Sequence, residues 1–342
     1  MAQKLAILTS GGDAPGMNSA IRAIVLASLN KGYQCIGFYH GYNGLIEQQF
    51  TELDEHSVNN ITQHGGTILK SARCPAMLNT AGISQAANTL RKLHISALIV
   101  IGGDGSFHGL DALSEHWQGT LIGLPGTIDN DLSGCDHTIG FSTAVNTATR
   151  AIDKIRDTAN AFERVFITEV MGRHSGHIAF NTGIATGAES ILSFENCDVN
   201  KQQHIVTQLL AAITEQRNKH ASFVIVLAEN LWPGGASSLQ AQLNQHTDFN
   251  CAVCILGHIQ RGGAPSSEDR MLATTLGVAA VEYIDELLLA ASSSPAPIMI
   301  GQINGQLTQT LISDVLKCNK PVASKWVQQY QHYLSAKSTI SN

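Results

Sequence analysis

The sequence has 342 residues, of which 44% are hydrophobic and 14% are charged, and its formal net charge is −6. This length predicts one large or two medium-sized domains, with a substantial core under a lightly charged surface. The negative charge disfavours nucleic acid and anionic membranes as partners, so any phosphate must be bound locally by arginines and backbone N–H groups.

Strand-like apolar runs alternate with helix-length segments along the chain. Strands are predicted at 4–9, 33–39, 97–103, 120–125, 164–170, 222–229 and 252–258. Helices are predicted at 17–31, 139–159 and 199–219. The alternation is typical of an α/β protein with mainly parallel sheets. Because ligands bind beyond the carboxyl ends of parallel strands, the polar residues that follow many of these strands predict one shared cleft.

The amino-terminal apolar run and the cysteines indicate the cellular compartment of the protein. Residues 4–9 are too short for a signal sequence, and no stretch reaches the roughly 18 apolar residues of a membrane-spanning helix. Seven cysteines, an odd number, fit a reducing environment. We therefore expect a cytoplasmic protein. The CxxC spacing of Cys251 and Cys254 lacks a second pair nearby, so it predicts no metal or redox role.

Two glycine-rich turns follow predicted strands. The first runs from Ser10 to Asn18, and the second from Gly102 to Ser106. Glycine lets the backbone approach a phosphate, and the helix that follows adds N–H groups and the positive end of its dipole. Asp104 suits Mg²⁺, although it would equally cap a helix. Each turn is also compatible with an ordinary strand-to-helix connection, but the pair favours a nucleotide site.

A third constellation, Gly126-Thr-Ile-Asp-Asn-Asp131, follows the strand at 120–125. The Thr127 hydroxyl is able to donate a hydrogen bond to a phosphoryl oxygen, and either Asp129 or Asp131 is able to accept the proton of an attacking alcohol. An Asx turn would account for Asn130 or Asp131 without catalysis. Cationic residues also stand near strand ends, namely Arg73, Arg164, Arg173, His258 and Arg261. Together these residues predict an Mg²⁺-dependent phosphotransferase that uses a nucleotide and a small phosphorylated acceptor.

A series of motifs carries a family resemblance over about residues 4–320. They are LTSGGDAPGMN, TILKSARCP, VIGGDGS, LPGTIDND, IGF, IDKIRDT, EVMGRHSGH and LGHIQRGG. In this order they resemble the bacterial ATP-dependent 6-phosphofructokinases. GGDG alone is shared with NAD and lipid kinases, whereas PGTIDND with MGR and GHIQRGG is specific. The resemblance implies phosphorylation of D-fructose 6-phosphate by ATP at the 1-hydroxyl, which gives fructose 1,6-bisphosphate and ADP in the committed step of glycolysis, with Mg²⁺ as cofactor.

The resemblance also implies an architecture. It consists of two similar Rossmann-like three-layer α/β domains with mainly parallel sheets and the active site in the cleft between them. We expect an ATP-binding domain of residues 1–140 plus 260–305 and a sugar-phosphate-binding domain of residues 141–259 plus 306–342. The resemblance further implies a homotetramer in which sugar sites are completed across subunits.

The matching motifs assign roles to residues. ATP is expected at Gly12, Arg73, Cys74, Gly103, Asp104, Gly105 and Ser106, with Asp104 holding Mg²⁺. The catalytic set is Gly12, Thr127, Asp129 and Arg173. In it, Asp129 is the base, Thr127 contacts the transferring group and Arg173 stabilises the γ-phosphoryl charge. The sugar phosphate is expected at Thr127, Ile128, Asp129, Arg164, Met171, Gly172, Arg173, Glu229, His258, Ile259, Gln260 and Arg261. Arg164 would reach in from a neighbouring subunit.

Glycine at positions 105 and 126 bears on the phosphoryl donor. Pyrophosphate-dependent relatives typically carry Asp at the first position and Lys at the second, so glycine at both predicts ATP. Ala252 departs from the family pattern, because it stands where a second inter-subunit arginine is usual. The absence of this arginine predicts a raised KM for the sugar phosphate.

An effector site for ADP or phosphoenolpyruvate is also implied by the resemblance. The matching residues are Arg22, Arg156, Gly187 and Glu189. Leu26 and Glu55 stand where arginine is common, so we expect a weak or altered response to phosphoenolpyruvate.

Three alternatives stay open. One is a kinase of a related sugar phosphate such as sedoheptulose 7-phosphate, which Ala252 keeps in view. Another is an NAD- or lipid-kinase-like enzyme, against which MGR and GHIQRGG argue. The third is a non-catalytic regulatory paralogue, which the intact Asp104, Thr127, Asp129 and Arg173 disfavour.

Overall fold

The computed structural model describes residues 3–218, 221–246, 251–290 and 295–339. The chain forms two compact units. The first unit comprises Met1–Ile128, Leu132–Thr143 and Arg261–Asn319. The second unit comprises Asp129–Asp131, Ala144–Gln260 and Lys320–Asn342.

Strands and helices alternate through both units. The strands are β1 (Lys4–Ser10), β2 (Gln34–Phe38), β3 (Phe50–Leu53), β4 (Ile95–Gly102), β5 (Thr120–Pro125), β6 (Val165–Val170), β7 (Ser190–Leu192), β8 (Phe223–Ala228), β9 (Cys251–Ile255), β10 (Ile298–Ile303) and β11 (Gln306–Leu311). The helices are α1 (Met17–Asn30), α2 (Tyr42–Glu47), α3 (Thr80–Lys92), α4 (Asp104–Ser114), α5 (Phe141–Ala161), α6 (His177–Ala185), α7 (Gln202–Arg217), α8 (Gly235–Asn244), α9 (Ser267–Leu289), α10 (Ile312–Val315) and α11 (Ser324–Thr339).

Each unit is built on one mainly parallel sheet within the described residues. The strand order is β11-β10-β5-β4-β1-β2-β3 in the first unit and β7-β8-β6-β9 in the second. Pairing is parallel except between β2 and β3 and between β10 and β11. The α/β fold with mainly parallel sheets is therefore confirmed.

The central strands are apolar because they are covered on both faces. In β4, residues 97–101 are all 0% exposed, and the apolar residues of β8 are similarly buried. Such strands cannot show the alternation of a half-exposed sheet. Burial on both faces places the functional groups at the strand ends.

The division into units differs from the predicted boundaries mainly in two places, apart from small shifts that move residues 141–143 into the first unit and residue 260 into the second. Residues 306–319 were expected in the second domain, but β11 pairs with β10 along its whole length and extends the sheet of the first unit. Residues 129–131 lie in the second unit, although the segments on both sides of them belong to the first. Which unit binds which substrate stays a prediction.

Among the described residues, no helix has both the length and the apolar character that crossing a membrane would require.

Candidate active site

The carboxyl ends of β1, β4 and β5 meet at one edge of the first sheet. Ser10 is in register with Gly102, and Gly102 is in register with Pro125. The N–H group of Gly126 donates to the Gly102 carbonyl at 2.9 Å. The three segments singled out in the sequence therefore leave the sheet side by side.

The first glycine turn is packed against an arginine from a distant part of the chain. Arg261 Nη1 donates to the Asp13 carbonyl at 3.1 Å. A Cβ atom on Gly12 would lie 2.5 Å from the same nitrogen, so a larger residue here would displace the Arg261 guanidinium. The sequence predicted Arg261 among the sugar-phosphate residues, and the structure places its guanidinium beside the turn that was predicted to bind ATP.

The segment before Arg73 and Cys74 is tied to the same turn. Ser71 Oγ donates to the Gly11 carbonyl at 2.7 Å, and the Gly11 N–H donates to the Ala72 carbonyl at 3.4 Å. The predicted ATP residues of these two segments are therefore neighbours in the first unit.

The second glycine turn opens α4. Asp104 is the first residue of the helix, and its carboxylate is partly exposed and lies 3.6 Å from His108 Nε2. Ser106 is buried, and its carbonyl accepts a hydrogen bond from the Tyr42 hydroxyl at 2.8 Å. A Cβ atom on Gly105 would meet no described atom within 4 Å beyond its chain neighbours and the backbone of its own helical turn. The backbone at Gly105 therefore offers open space beside Asp104.

Thr127 lies beside the second turn. A Cβ atom on Gly103 would be 3.3 Å from the Thr127 Cβ. Thr138 Oγ1 donates to the Thr127 carbonyl at 2.6 Å and so fixes the backbone there. The predicted ATP and phosphoryl-contact residues of the first unit thus form one group.

A buried carboxylate holds the start of α5, just after Thr138. Asp269 is 1% exposed and accepts hydrogen bonds from the N–H groups of Gly140 at 2.9 Å and Thr143 at 2.7 Å. Burial raises the pKa of the Asp269 carboxyl above its usual value, although hydrogen bonds from Thr143 and Gly140 act in the opposite direction. Sequence reasoning missed this residue. The Ser266-x-x-Asp269 capping pattern at the start of α9 was the available signal.

Replacement of Asp269 with Asn is expected to lower the free energy of unfolding by about 1–3 kcal/mol, because an amide N–H would face a backbone donor. The raised folded pKa means that ionisation of Asp269 disfavours the folded state. Wild-type stability should therefore fall as the pH rises above 3.8 through the folded pKa, and D269N should lack this step. Denaturant unfolding across this pH range measures both effects.

Glu268→Gln is the matched control for D269N, since it makes the same change on the exposed neighbouring residue. It should stay within about 0.5 kcal/mol of the wild type. Equal losses of unfolding free energy in the two variants would show that the buried hydrogen bonds of Asp269 contribute no more to stability than the exposed carboxylate of Glu268.

In the second unit, the ends of β6 and β8 position the Met171-Gly172-Arg173 loop. Val170 is in register with Ala228, so Met171 and Glu229 both leave the sheet at this edge. Glu229 Oε1 accepts hydrogen bonds from the N–H groups of Gly172 at 3.1 Å and Arg173 at 2.7 Å. The left-handed φ of Arg173, 58°, is held by these bonds. Glu229 therefore braces the loop, in addition to its predicted sugar-phosphate role.

The three residues Asp129–Asp131 belong to the second unit, and we call them the acidic loop. Their exposures are 7%, 2% and 7%. Ser175 Oγ, which lies just beyond the Met171–Arg173 loop, donates to the Asp129 carbonyl at 2.8 Å. The acidic loop and the Met171–Arg173 loop are thus linked within one unit.

The residues after β9 complete the predicted set in the second unit. His258 and Ile259 are exposed, and Ile259 reaches 58% exposure despite its apolar side chain. Gln260 is fully buried and donates from Nε2 to the Gly257 carbonyl at 3.2 Å. His258 is therefore accessible to a ligand, whereas Gln260 supports the turn.

Arg164 lies apart from the other predicted sugar-phosphate residues of its unit. It stands one residue before β6, and its guanidinium carbon is 4.5 Å from the centre of the Phe162 ring. The six residues of β6 separate it from Met171 by about 20 Å at the usual rise per residue. Within one chain, Arg164 therefore does not join the Met171–Arg173 loop.

The predicted effector residues of the second unit form one hydrogen-bonded cluster. Arg156 Nη1 lies 3.1 Å from Glu189 Oε1, and Nη2 donates to the Gly187 carbonyl at 3.2 Å. Glu189 Oε2 also accepts the Val224 N–H at 2.8 Å. Arg22 lies on α1 of the first unit, four residues before Leu26. Arg156 is therefore already paired with a carboxylate of its own chain.

A metal site built from several side chains is absent in the part of the chain that the structure describes, where no cluster of three or more His, Cys, Asp or Glu residues has the required arrangement. This absence does not bear on a metal held by one carboxylate together with substrate phosphates.

Comparison with known proteins agrees with the α/β fold. A family profile described as Phosphofructokinase matches residues 4–284. ATP-dependent 6-phosphofructokinase 1 of Thermus thermophilus is 44% identical over 320 residues, which are 94% of this chain and 96% of that protein. An ATP-dependent 6-phosphofructokinase of Clostridium botulinum is 45% identical over 313 residues, which are 91% of this chain and 93% of that protein. The chain belongs to the phosphofructokinase family.

Solved structures show the same fold. Phosphofructokinase from Saccharomyces cerevisiae matches with a TM-score of 0.83 and 32% identity over 92% of this chain. The match spans 45% of the yeast chain, so this chain covers less than half of that protein. A pyrophosphate-dependent phosphofructokinase from Marinobacter aquaeolei matches with a TM-score of 0.81 at 20% identity, over 94% of this chain and 86% of that one. At this identity the likeness concerns the fold alone.

Proposed function

We propose that this protein is an ATP-dependent 6-phosphofructokinase. It transfers the γ-phosphoryl group of ATP to the 1-hydroxyl of D-fructose 6-phosphate and gives fructose 1,6-bisphosphate and ADP. The observation that carries the proposal is the meeting of three segments, two glycine turns and the Gly126-Thr127 segment, at one edge of the first sheet. The curated relatives at 44–45% identity, whose names state the same activity, support it.

The chemistry follows from the residues of both units. In the first unit, the backbone of Gly12 and Gly103–Ser106 binds the phosphates, with Arg73 and Cys74 at the nucleotide, and the Thr127 hydroxyl contacts the transferring group. Asp129 takes the proton of the sugar hydroxyl as that oxygen attacks phosphorus. Arg173 offsets the negative charge that develops on the transferring oxygens. Met171, Gly172, Glu229, His258 and Arg261 hold the sugar phosphate.

The family implies a kinase that needs a divalent metal, and we place Mg²⁺ at Asp104. A single carboxylate beside bound phosphates is the donor set that Mg²⁺ uses in nucleotide enzymes. Asp104 is partly exposed, and the open space at Gly105 leaves room there. The ion would neutralise charge on the ATP phosphates.

One coupled assay tests the activity. The purified chain is given ATP or pyrophosphate as donor, and fructose 6-phosphate or sedoheptulose 7-phosphate as acceptor. The proposal requires turnover with ATP and fructose 6-phosphate that exceeds every other pair. Faster turnover with sedoheptulose 7-phosphate would favour the alternative acceptor. Absence of turnover with all pairs would favour a regulatory paralogue.

The position of Arg164 supports a homotetramer in which this side chain serves the sugar site of a neighbouring subunit. Ala252 is in register with Phe166, which stands two residues after Arg164. Because side chains two apart on a strand share a face, an arginine at position 252 would stand next to Arg164.

Ala252→Arg is expected to lower the KM for fructose 6-phosphate by about 10- to 100-fold, since a charge-assisted hydrogen bond contributes about 1.5–3 kcal/mol. The KM for ATP should not change. Ala252→Gln adds a polar side chain without the charge and serves as the matched control. Steady-state kinetics measure these constants, and tight sugar binding by the wild type that A252R leaves unaltered would contradict the expectation.

Regulation by an anionic effector is proposed to be weak. Leu26 and Glu55 replace two cations and add one anion, about three charge units less favourable for phosphoenolpyruvate or ADP. Arg156 is also paired with Glu189. Rate curves against fructose 6-phosphate should therefore stay nearly hyperbolic in phosphoenolpyruvate, and a double replacement, Leu26→Arg with Glu55→Arg, should increase the inhibition. Strong sigmoidal inhibition of the wild type at low millimolar concentration would refute this.

A further inference from the structure

The acidic loop turns at its central residue, Asn130, which has a left-handed φ of 52°. Asn tolerates this region better than other residues with a side chain, so the local sequence is compatible with the turn. The orientation of the loop is then fixed by contacts from outside it. All three residues of the loop are nearly buried.

Two residues from distant parts of the second unit hold the loop at each of its three positions. Ser175 Oγ donates to the Asp129 carbonyl at 2.8 Å. The Lys320 N–H donates to the Asp131 carbonyl at 2.8 Å, and the Lys320 ammonium donates to Asn130 Oδ1 at 2.9 Å. Lys320 thus fixes both the backbone and the central side chain of the loop.

Ser175 and Lys320 are themselves connected. His177 donates from Nε2 to the Lys320 carbonyl at 3.1 Å, and its N–H donates to Ser175 Oγ at 3.3 Å. Glu195 Oε1 accepts the N–H groups of Gly176 at 3.3 Å and of Val322 at 3.2 Å. The start of α6 and the segment after Lys320 are therefore joined, which makes the support of the acidic loop stiff.

We propose that Lys320 is a positioning residue for phosphoryl transfer, which acts through Asn130 and together with Ser175 to aim the Asp129 carboxylate at the sugar hydroxyl. The inference rests on the proposed function, because it requires Asp129 to be the base. A base works only within hydrogen-bond distance of its proton, about 2.6–3.2 Å. A displacement of about 1 Å costs on the order of a hundredfold in rate.

The side chain of Lys320 can be tested without removing the backbone contacts. Lys320→Met keeps the length of the side chain, the N–H bond to Asp131 and the carbonyl bond to His177, and removes the interactions of the ammonium, among them the bond to Asn130. The matched control is Lys317→Met, in the same segment, where the side chain is 72% exposed and its ammonium pairs with Asp314.

K320M is expected to lower kcat by about 10- to 100-fold, with the KM for ATP and the melting temperature near those of the wild type. K320R, which restores a donor, should recover most of the loss, and K317M should be indistinguishable from the wild type. Ser175→Ala should lower kcat in the same way, because it removes the hydrogen bond from Ser175 Oγ to the Asp129 carbonyl. Rates are expressed per active site, counted by titration, so that partial unfolding is not mistaken for slow chemistry.

Two results would overturn the inference. The first is a kcat for K320M equal to that of K317M. The second is a loss that follows the melting temperature and disappears when rates are expressed per active site. Asp129→Asn distinguishes failure of the proposed base from failure of the positioning role. If D129N is inactive while K320M is normal, only the positioning role fails. Full turnover by D129N would remove the proposed base and the positioning role with it.

Discussion

Asp129→Asn should lower kcat by about 10²- to 10⁴-fold, the usual contribution of a general base. The amide has nearly the same shape as the carboxylate, so the acidic loop and its bond from Ser175 should persist. The Asn side chain binds a hydroxyl but does not take its proton. The KM for ATP should change little, because the nucleotide is expected at the two glycine turns of the first unit. Steady-state kinetics with both substrates varied measure this separation.

Asp131→Asn is the matched control. Asp131 has the same exposure as Asp129, 7%, and its carbonyl bond to Lys320 does not depend on its side chain. The sequence alone left the two carboxylates as alternatives for the base. A smaller loss of kcat in D131N than in D129N would assign the base to Asp129. The reverse order would assign it to Asp131, and unchanged turnover in D129N would exclude Asp129.

The parts of the site that sequence reasoning predicted are those with local patterns. Apolar strands followed by glycine and acid predicted the turns after β1 and β4 and the segment after β5. Parallel pairing then brought them together, as Ser10, Gly102 and Pro125 show. The burial of β4 on both faces was predictable in the same way, because its sequence is apolar throughout.

Apart from the buried strand β10, which the sequence reasoning also missed, what the sequence did not predict depends on contacts over long separations or on edge strands. Lys320 lies 190 positions from Asn130, and nothing in the neighbourhood of either residue indicates their contact. The role of Glu229 in bracing the Met171–Arg173 loop likewise needs the register of β6 and β8. Strand β11 was missed because its exposed, polar sequence resembles a loop, and β7 is only three residues long.

The choice of phosphoryl donor was predicted from Gly105 and Gly126, and the structure shows that the two glycines differ in the space around them. A Cβ atom on Gly126 would lie 2.8 Å from Ile101 Cγ2 and 3.2 Å from the Gly102 nitrogen. In this chain a side chain at 126 would therefore force Ile101 or the backbone at Gly102 to shift, so glycine there is explained by packing as well as by the donor. At Gly105 a Cβ atom would meet no described atom within 4 Å beyond its chain neighbours and its own helical turn, so packing against the rest of the described chain does not require glycine there. Gly105 is thus the informative position.

Gly105→Asp should raise the KM for ATP by about 10²- to 10³-fold. Two unit charges 4 Å apart at an effective dielectric constant of 20 repel by about 4 kcal/mol, and the new carboxylate would stand beside Asp104 where the triphosphate is expected. Gly105→Ala is the control: its methyl group adds bulk without charge at the same position, so its KM for ATP should rise by much less than that of G105D. Initial rates over a wide range of ATP concentration, with melting curves for both variants, measure the effect. An unchanged KM in G105D would mean that the phosphates of ATP do not pass over the start of α4, and the nucleotide site assigned to the second glycine turn would be wrong.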